Sequence, residues 1–445
     1  MSGTLGLNLL TKRRFLPLFV TQFLNAFNDN LYKNAMVLFV VYYVLADEAQ
    51  ETWFSAVATG IFILPFFTLS ALSGQLADAS DKARIVRIVK ACEVGIMIVG
   101  AGGLMLGLNG YYGVSIALML LALLAMGIHS TFFGPIKYAI LPQHLHRDEV
   151  LAGTGLVEAG TYLAILTGTI LSGIISFEMV AWAVLVVAVV GYLFGRQVPP
   201  APAQEEGHKI DWNVLRSSIT LVKATMHIPR LFMAIVAISF FWTIGAVLFI
   251  LFPPLVKNVL TSDKEVASLF LAVFSIGVSI GSVVINRMLK GEVSARYSAP
   301  SVIVMGIFVL AFHQVGQYWQ PAPEGTFFDI WDFIHHPSTI WLVLCLLGIA
   351  ISGGMFVVPL YAFLTTTVKK SEAARTIAAN NIVNAAAMVT GSLIATGMSL
   401  AGMRTIDQLL LAAAMCVISA SLAWKLHRVA DDGKMFESKT LPDDV

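Results

Sequence analysis

Twelve apolar stretches, each long enough to cross a membrane as a helix, constrain the fold of this chain more than any other feature. They lie at 15–45, 53–77, 84–107, 111–141, 151–176, 179–197, 229–257, 265–289, 298–319, 338–367, 373–399 and 405–427. A helix needs about 20 apolar residues to span the hydrocarbon of a bilayer. Strands of a membrane β-barrel would alternate in hydrophobicity over about ten residues, and these stretches do not. We therefore expect an all-α polytopic membrane protein with twelve transmembrane helices.

The composition excludes several classes of protein. Of the 445 residues, 57% are apolar and only 12% are charged, which a water-soluble exterior could not accommodate. The net charge of +1 argues against a nucleic-acid partner. The sequence contains no G-x-S-x-G, P-loop or H-E-x-x-H motif, so hydrolase, ATPase and zinc-protease activities lack their residues. We expect no enzyme activity, no cofactor and no metal site.

A polar, proline-rich segment divides the twelve stretches into two sets of six. It begins with Pro199-Pro200-Ala201-Pro202 and predicts a flexible linker with a surface helix. The predicted organisation is a first bundle at 1–198, a linker at 199–227, a second bundle at 228–428 and a tail at 429–445. Most basic residues outside the stretches fall on one side of the membrane, which predicts that both termini are cytoplasmic. The first stretch is too long for a cleavable signal and should remain as a helix.

Charged residues inside the apolar stretches are candidate functional residues, because a charge in hydrocarbon is costly. Asp29 and Lys33 are four residues apart in the first stretch, a spacing that favours a pair on one helix face. They form either a structural pair or a site at which Asp29 meets a cationic headgroup or a proton. Asn25, Asn28 and Asn30 add hydrogen-bonding groups nearby.

Further ionisable residues leave alternatives open. Lys137 and Glu158 lie in adjacent stretches and could pair, which would suit a switch as well as a structural role. Glu93 could bind Lys137 or Lys33, or face a cytoplasmic vestibule. His129 is either a packing residue or a proton relay.

Asparagines and a glycine-rich turn complete the candidate residues. Asn380, Asn381 and Asn384 are expected to line one face of the eleventh stretch, where they bind substrate or join helices by hydrogen bonds. The turn from Gly74 to Arg84 resembles motif A of the major facilitator superfamily, G-x-L-x-D-x-x-G-R-K/R, with its second glycine replaced and its basic end shifted. That resemblance implies a conformational latch at Gly74, Asp78 and Arg84.

Four short segments narrow the resemblance to a family. Residues 22–30 (QFLNAFNDN), 134–138 (GPIKY), 155–159 (GLVEA) and 378–382 (AANNI) are similar to bacterial lysophospholipid transporters, carriers that are also found fused to acyltransferases. The resemblance implies a major facilitator fold in the bacterial inner membrane and a lysophospholipid substrate, such as lysophosphatidylethanolamine, moved to the cytoplasmic leaflet by alternating access. It further implies membrane lipids and a separate acyltransferase as partners, and we expect a monomer.

The resemblance also assigns roles to the candidate residues. Asp29 would attract the headgroup amine, with Asn25 and Asn30 beside it, while Lys137 or Lys33 would attract the phosphate. Glu158, Asn381 and Asn384 would complete the binding site. Two alternatives remain: a proton-coupled exporter of amphipathic drugs, with Asp29 or Glu158 as the proton carrier, and a scaffold that presents lysolipid to an acyltransferase without transporting it.

Overall fold

The structure is a computed structural model that describes residues 9–146, 149–203, 210–289, 294–366 and 370–437. These ranges fold into helices. In chain order they are α1 Leu16–Phe39, α2 Glu48–Ala79, α3 Lys82–Leu108, α4 Tyr112–Ala139, α5 Leu141–His144, α6 Val150–Ile174, α7 Phe177–Gly195, α8 Val214–Met226, α9 Pro229–Asn258, α10 Lys264–Leu289, α11 Ser298–Gln317, α12 Ile330–His335, α13 Thr339–Thr366, α14 Lys370–Leu400 and α15 Thr405–Glu437. A π-helical turn, Val40–Val44, extends α1.

Each of the twelve predicted stretches coincides with one long helix, which confirms the all-α prediction. Ten of these helices contain a segment of at least 18 residues that is apolar enough to cross a membrane. The exceptions are α1, whose middle carries several amides and two charges, and α6, whose described apolar part is Ala159–Ile174. The short helices α5, α8 and α12 lie between the long ones. Of these, sequence patterns predict only α8, as the surface helix of the linker.

The helices group into two compact units. The first comprises residues 1–47, 57–217 and 264–269, and the second comprises 48–56, 218–263 and 270–445. In the first unit α1 packs against α6 and α7, and α3 packs against α4 and α7. In the second, α11 packs against α13 and α15, and α9 packs against α14 and α15. The domain limits drawn from the sequence remain a prediction.

The first turns of α2 are held within the second unit by polar contacts. Glu51 is fully buried and accepts hydrogen bonds from Lys257 and Asn258 at the end of α9. Glu48 accepts a bond of 2.7 Å from the backbone N–H of Thr405 at the start of α15. A carboxylate at the N-terminus of a helix is stabilised by the helix dipole. These contacts explain why residues 48–56 belong to a different unit from the rest of α2.

Glycines allow α10 and α13 of the second unit to approach closely. Gly277 and Gly281 are four residues apart on α10, the spacing of the G-x-x-x-G motif that brings membrane helices into backbone contact. A Cβ at Gly281 would overlap the carbonyl oxygen of Ile351, and one at Gly354 would overlap that of Val278. The two helices therefore interlock through backbone surfaces that no larger residue could share.

Substitution at this interlock should be costly. We predict that Gly281→Ala lowers stability by about 1–3 kcal/mol, because the added methyl forces the two helices apart. The measurement is the midpoint of thermal unfolding of the purified protein in detergent. Gly102→Ala, at an exposed position of α3 where a Cβ meets nothing within 4 Å, is the matched control and should not lower the midpoint. Equal midpoints for the two variants would contradict the interlock.

Candidate functional site: a buried polar network in the first unit

Three polar side chains on one face of α1 begin the site. Asn25, Asn28 and Asp29 are separated by three and four residues, so they project to the same side of the helix. All three are buried. A buried polar group needs hydrogen-bond partners, and neighbouring helices provide them here.

Asp29 is bonded through only one of its two carboxylate oxygens. Its Oδ2 accepts a hydrogen bond of 2.5 Å from the Ser130 hydroxyl of α4 and one of 3.2 Å from the Asn25 amide. Among the described residues its Oδ1 has no hydrogen-bond donor. A buried carboxylate with an unused oxygen can bind a cationic group that enters the site.

A second carboxylate, Glu93 of α3, is fully compensated. It forms an ion pair with Lys90, one turn earlier, and both side chains are completely buried. Its other oxygen accepts a hydrogen bond of 2.9 Å from the Asn28 amide. His129 Nε2 of α4 lies 3.5 Å from the same carboxylate. The Lys90 ammonium is also 3.5 Å from Asn25 Oδ1, which links this pair to the surroundings of Asp29.

The helix α7 is shaped to admit Lys90. A Cβ at Gly191 would come within 2.9 Å of Lys90 Cε, and one at Gly195 within 3.3 Å of its Cγ. The two glycines are four residues apart and so lie on one helix face. Their missing side chains form a notch that holds the methylene stem of the lysine and points its ammonium toward α1.

Two further lysines act on Asp29. Lys33 of α1 is half-buried, and its ammonium lies 5.1 Å from the centre of the Phe62 ring, a cation–π geometry. Lys137, in the last turn of α4, is also half-buried. Both lysines, together with Lys90, interact electrostatically with Asp29. The structure thus gathers one carboxylate with a free oxygen and several cations into one region of the first unit.

The structure corrects one interpretation drawn from the sequence and adds a residue that sequence reasoning missed. Glu93 does not face a vestibule, because it is completely buried and pairs with Lys90. Lys90, which the sequence analysis does not single out, lies more than two helical turns into α3. The available signal was the i, i+3 spacing of Lys90 and Glu93, which suits a pair on one face.

Other predicted residues have a more local role or remain untested. The Asn30 amide donates a hydrogen bond of 2.8 Å to the backbone carbonyl of Ala26 in its own helix. The side chain of Glu158 lies outside the described residues, so its pairing with Lys137 stays a prediction. His129 is buried beside Glu93, which is compatible with both roles predicted for it.

The second unit has a polar cluster without formal charge. The Tyr361 hydroxyl of α13 accepts a hydrogen bond of 2.8 Å from the Trp242 indole N–H. It also lies 3.4 Å from the amide nitrogen of Asn384 and 3.5 Å from that of Asn380. Asn380 and Asn384 are buried, whereas Asn381 is exposed and lies apart from this cluster. The predicted asparagine face of α14 is therefore divided.

The turn between α2 and α3 carries the residues of the implied latch. A Cβ at Gly74 would meet nothing within 4 Å among the described residues, and the latch implied for Gly74, Asp78 and Arg84 stays a prediction. Arg84 is exposed, and the side chain of Asp78 lies outside the described residues. The carboxylate of Asp81 caps the N-terminus of α3. It accepts hydrogen bonds from the backbone N–H groups of Ala83, at 2.9 Å, and Ala201, at 3.0 Å.

The Lys90–Glu93 pair predicts a non-additive response to mutation. Lys90→Met or Glu93→Gln alone should destabilise the protein by roughly 3–5 kcal/mol, because each leaves one buried charge uncompensated. The double variant should be milder than either single one. The measurement is a double-mutant cycle on thermal unfolding in detergent.

A surface pair provides the control for this cycle. Arg404 and Asp407 form an ion pair at 2.8 Å in which the arginine side chain is 62% exposed. Arg404→Ala should leave the unfolding midpoint nearly unchanged, because solvent screens exposed pairs. Additive effects of the two buried substitutions would show that Lys90 and Glu93 do not compensate each other.

Comparison with known proteins identifies relatives over most of the chain. The chain is 26% identical over 380 residues to the lysophospholipid transporter LplT of Escherichia fergusonii, a match that covers 83% of this chain and 85% of the relative. The protein of the same name from Escherichia coli O157:H7 is 25% identical over the same shares. These relatives agree with the family resemblance of the four short segments.

Solved structures with the same fold are transporters. A mutant form of the nucleoside transporter NupG matches with a TM-score of 0.68 and 13% identity, covering 93% of this chain and 100% of that chain. The D-xylose–proton symporter matches with a TM-score of 0.67 and 12% identity, over 93% and 97% of the two chains. At this identity the likeness concerns the fold alone.

A family model also matches most of the chain. The model of the Major Facilitator Superfamily matches residues 18–392, which include nearly all of α1, the helices α2 to α13 and most of α14. This range holds both the charged network of the first unit and the Tyr361 cluster of the second. The chain is a multi-pass membrane protein that belongs to the major facilitator superfamily.

Proposed function

We propose that this protein is a secondary transporter that moves lysophospholipids, such as lysophosphatidylethanolamine, from the outer to the cytoplasmic leaflet of a bacterial inner membrane. The observation that carries the proposal is Asp29, a buried carboxylate with an oxygen that lacks a described donor and with lysines nearby. The two relatives named as lysophospholipid transporters support the choice of substrate.

The charges around Asp29 match those of a zwitterionic headgroup. Glu93 is neutralised by Lys90, which leaves Asp29 to bind the amine of the lipid. Lys33 and Lys137 act on the same region, and their ammonium groups suit the phosphate that lies two carbons from that amine. Asn25 holds Asp29 in place through its amide. When the lipid binds, its amine would take over part of the electrostatic interaction that the lysines make with Asp29 in the empty site.

The division of polarity between the units supports an amphiphile. The described network of the first unit holds Asp29, Lys90 and Glu93. The second unit uses the neutral Trp242–Tyr361 hydrogen bond and aromatic contacts such as Phe252 with Phe270 at 5.8 Å. An acyl chain needs apolar surroundings, whereas a sugar would need polar groups from both halves of a carrier.

The remaining parts of the proposal follow the family plan. Both termini would be cytoplasmic, and the protein would work as a monomer by alternating access. Gly74, Asp78 and Arg84 would form the conformational latch, with Asp81 as a further contributor. Lysophospholipid delivered to the cytoplasmic leaflet would be re-acylated by a separate acyltransferase.

The second candidate function is proton-coupled export of amphipathic drugs. The observation that favours it is His129, buried 3.5 Å from the Glu93 carboxylate in the same network. Proton-coupled transport needs a titratable side chain within the network, and histidine is a side chain that can serve as a proton shuttle. Uptake of labelled lysophospholipid into proteoliposomes, with and without a proton gradient and without acyltransferase, separates the candidates and also tests for a scaffold that does not transport.

Removing the charge of Asp29 should abolish most transport while preserving the fold. A charge-assisted hydrogen bond contributes about 1.5–3 kcal/mol, so we predict that Asp29→Asn lowers uptake about tenfold to a hundredfold. The substituted amide keeps the size of the side chain and can still bond to Ser130. The measurement is the initial rate of uptake at equal amounts of reconstituted protein, with thermal unfolding as the check on folding.

The matched control is a carboxylate outside the network. Asp407 lies at the start of α15 and bonds to Arg404 and to Gln317. Asp407→Asn should transport at close to the normal rate. Near-normal uptake by well-folded Asp29→Asn would show that Asp29 is structural and would remove the basis of the headgroup assignment.

A further inference from the structure

The segment between α11 and α13 begins and ends at one boundary of the membrane. Residues 318–338 follow the span Ser298–Gln317 and precede the span that starts at Thr339. The two spans pack against each other within the second unit. Because each is about as long as a bilayer is thick, the ends that this segment joins lie close to the headgroups.

Buried aromatic contacts fix the segment to the second unit. Phe333 of α12 is completely buried, with its ring centre 5.6 Å from that of Trp319 and 5.9 Å from that of Phe270. The ring of His336 stacks on Trp319 at 3.8 Å. The backbone N–H of Phe328 donates a hydrogen bond of 2.8 Å to the backbone carbonyl of Thr261. The helix α12 is therefore held in one orientation.

That orientation exposes an apolar face of α12. At about 100° per residue, Ile330, Ile334 and Trp331 occupy one arc of about 100° on the helix, apart from the buried Phe333. The exposed fractions are 40% for Ile330, 68% for Trp331 and 53% for Ile334. Asp332 and His335, also exposed, share the remaining arc. The helix thus has one face toward the protein, one apolar outer face and one polar outer face.

Exposed apolar side chains also begin the membrane-spanning helix α13. Ile340, Trp341 and Leu344, in its first turns, are 58%, 60% and 46% exposed. Side chains at these positions of a spanning helix are covered by lipid. The exposed face of α12 is joined to them by only three residues, His336 to Ser338.

The charges of the segment suit a surface without anionic lipid. Residues 318–338 contain Glu324, Asp329 and Asp332 but no lysine or arginine. Burial lowers the pKa of His336, so this side chain is neutral at pH 7. Attraction to a membrane must then come from the aromatic and aliphatic side chains and not from basic residues.

We propose that α12 is a membrane-surface anchor that inserts Ile330, Trp331 and Ile334 among the headgroups and upper acyl chains of the adjacent leaflet, with Asp332 and His335 facing water. The partner is the bilayer itself. Tryptophan favours this interfacial layer because one part of its ring system is apolar and its N–H is a donor. The anchor is independent of the substrate that the protein carries.

Site-directed spin labelling tests the anchor within a single helical turn. Cys92, Cys345 and Cys416 are first replaced by alanine or serine, and nitroxides are attached one at a time at positions 331, 332, 334 and 335. The protein is reconstituted in phosphatidylcholine vesicles. Collision rates with oxygen, which concentrates in the bilayer, are compared with those of a water-soluble nickel complex. Position 324 serves as the control in the aqueous part of the segment.

The expected pattern alternates along the helix. Labels at 331 and 334 should favour oxygen several-fold over the nickel complex, while labels at 332, 335 and 324 should favour nickel. Nickel access at 331 and 334 equal to that at 324 would overturn the proposal. Protection of 331 and 334 from both reagents would also overturn it, because the face would then be covered by protein.

A second measurement avoids cysteine replacement. Lipids brominated near the glycerol backbone should quench more fluorescence from the natural protein than from Trp331→Phe, and the difference should shrink when the bromines lie near the end of the chain. The result should hold in pure phosphatidylcholine. Equal quenching of the two proteins, or a requirement for phosphatidylglycerol, would contradict the anchor as described.

Discussion

A charge in hydrocarbon must be compensated by a partner that also leaves water, and the Lys90–Glu93 pair meets this condition at the centre of the first unit. The pair joins α3 to the amides of α1 and brings His129 of α4 beside the same carboxylate. With Glu93 neutralised, Asp29 is left as a carboxylate whose Oδ1 has no hydrogen-bond donor among the described residues. The candidate site therefore depends on a pair that need not touch the substrate.

The sequence predicted the helices well because membrane spans are set by length and hydropathy, which are local properties. It also placed Asn25, Asn28 and Asp29 together, since the helical period fixes which side chains share a face. The position of Lys90 was not predictable in this way. Its burial depends on the missing side chains of Gly191 and Gly195, about a hundred residues later, and no local pattern connects the two.

Other differences have the same origin in long-range packing. Gly74 and Gly281 are both glycines of membrane helices, yet among the described residues a neighbouring backbone lies close to Gly281 and not to Gly74. Asn380, Asn381 and Asn384 form one cluster in the sequence, but Tyr361 of a different helix contacts only two of them. In each case the contacts of the residue depend on a neighbouring helix, which the local sequence pattern does not identify.

The glycine notch of α7 has a consequence for which residues the network can accept. It fits an unbranched methylene chain that ends in a compact ammonium, whereas arginine ends in a wider planar group with fixed donor directions. An exchange that conserves charge would therefore conserve neither the shape nor the reach of this side chain. Position 90 is thus selective for lysine by volume, and the steric identity of the cation is as much a part of the network as its charge.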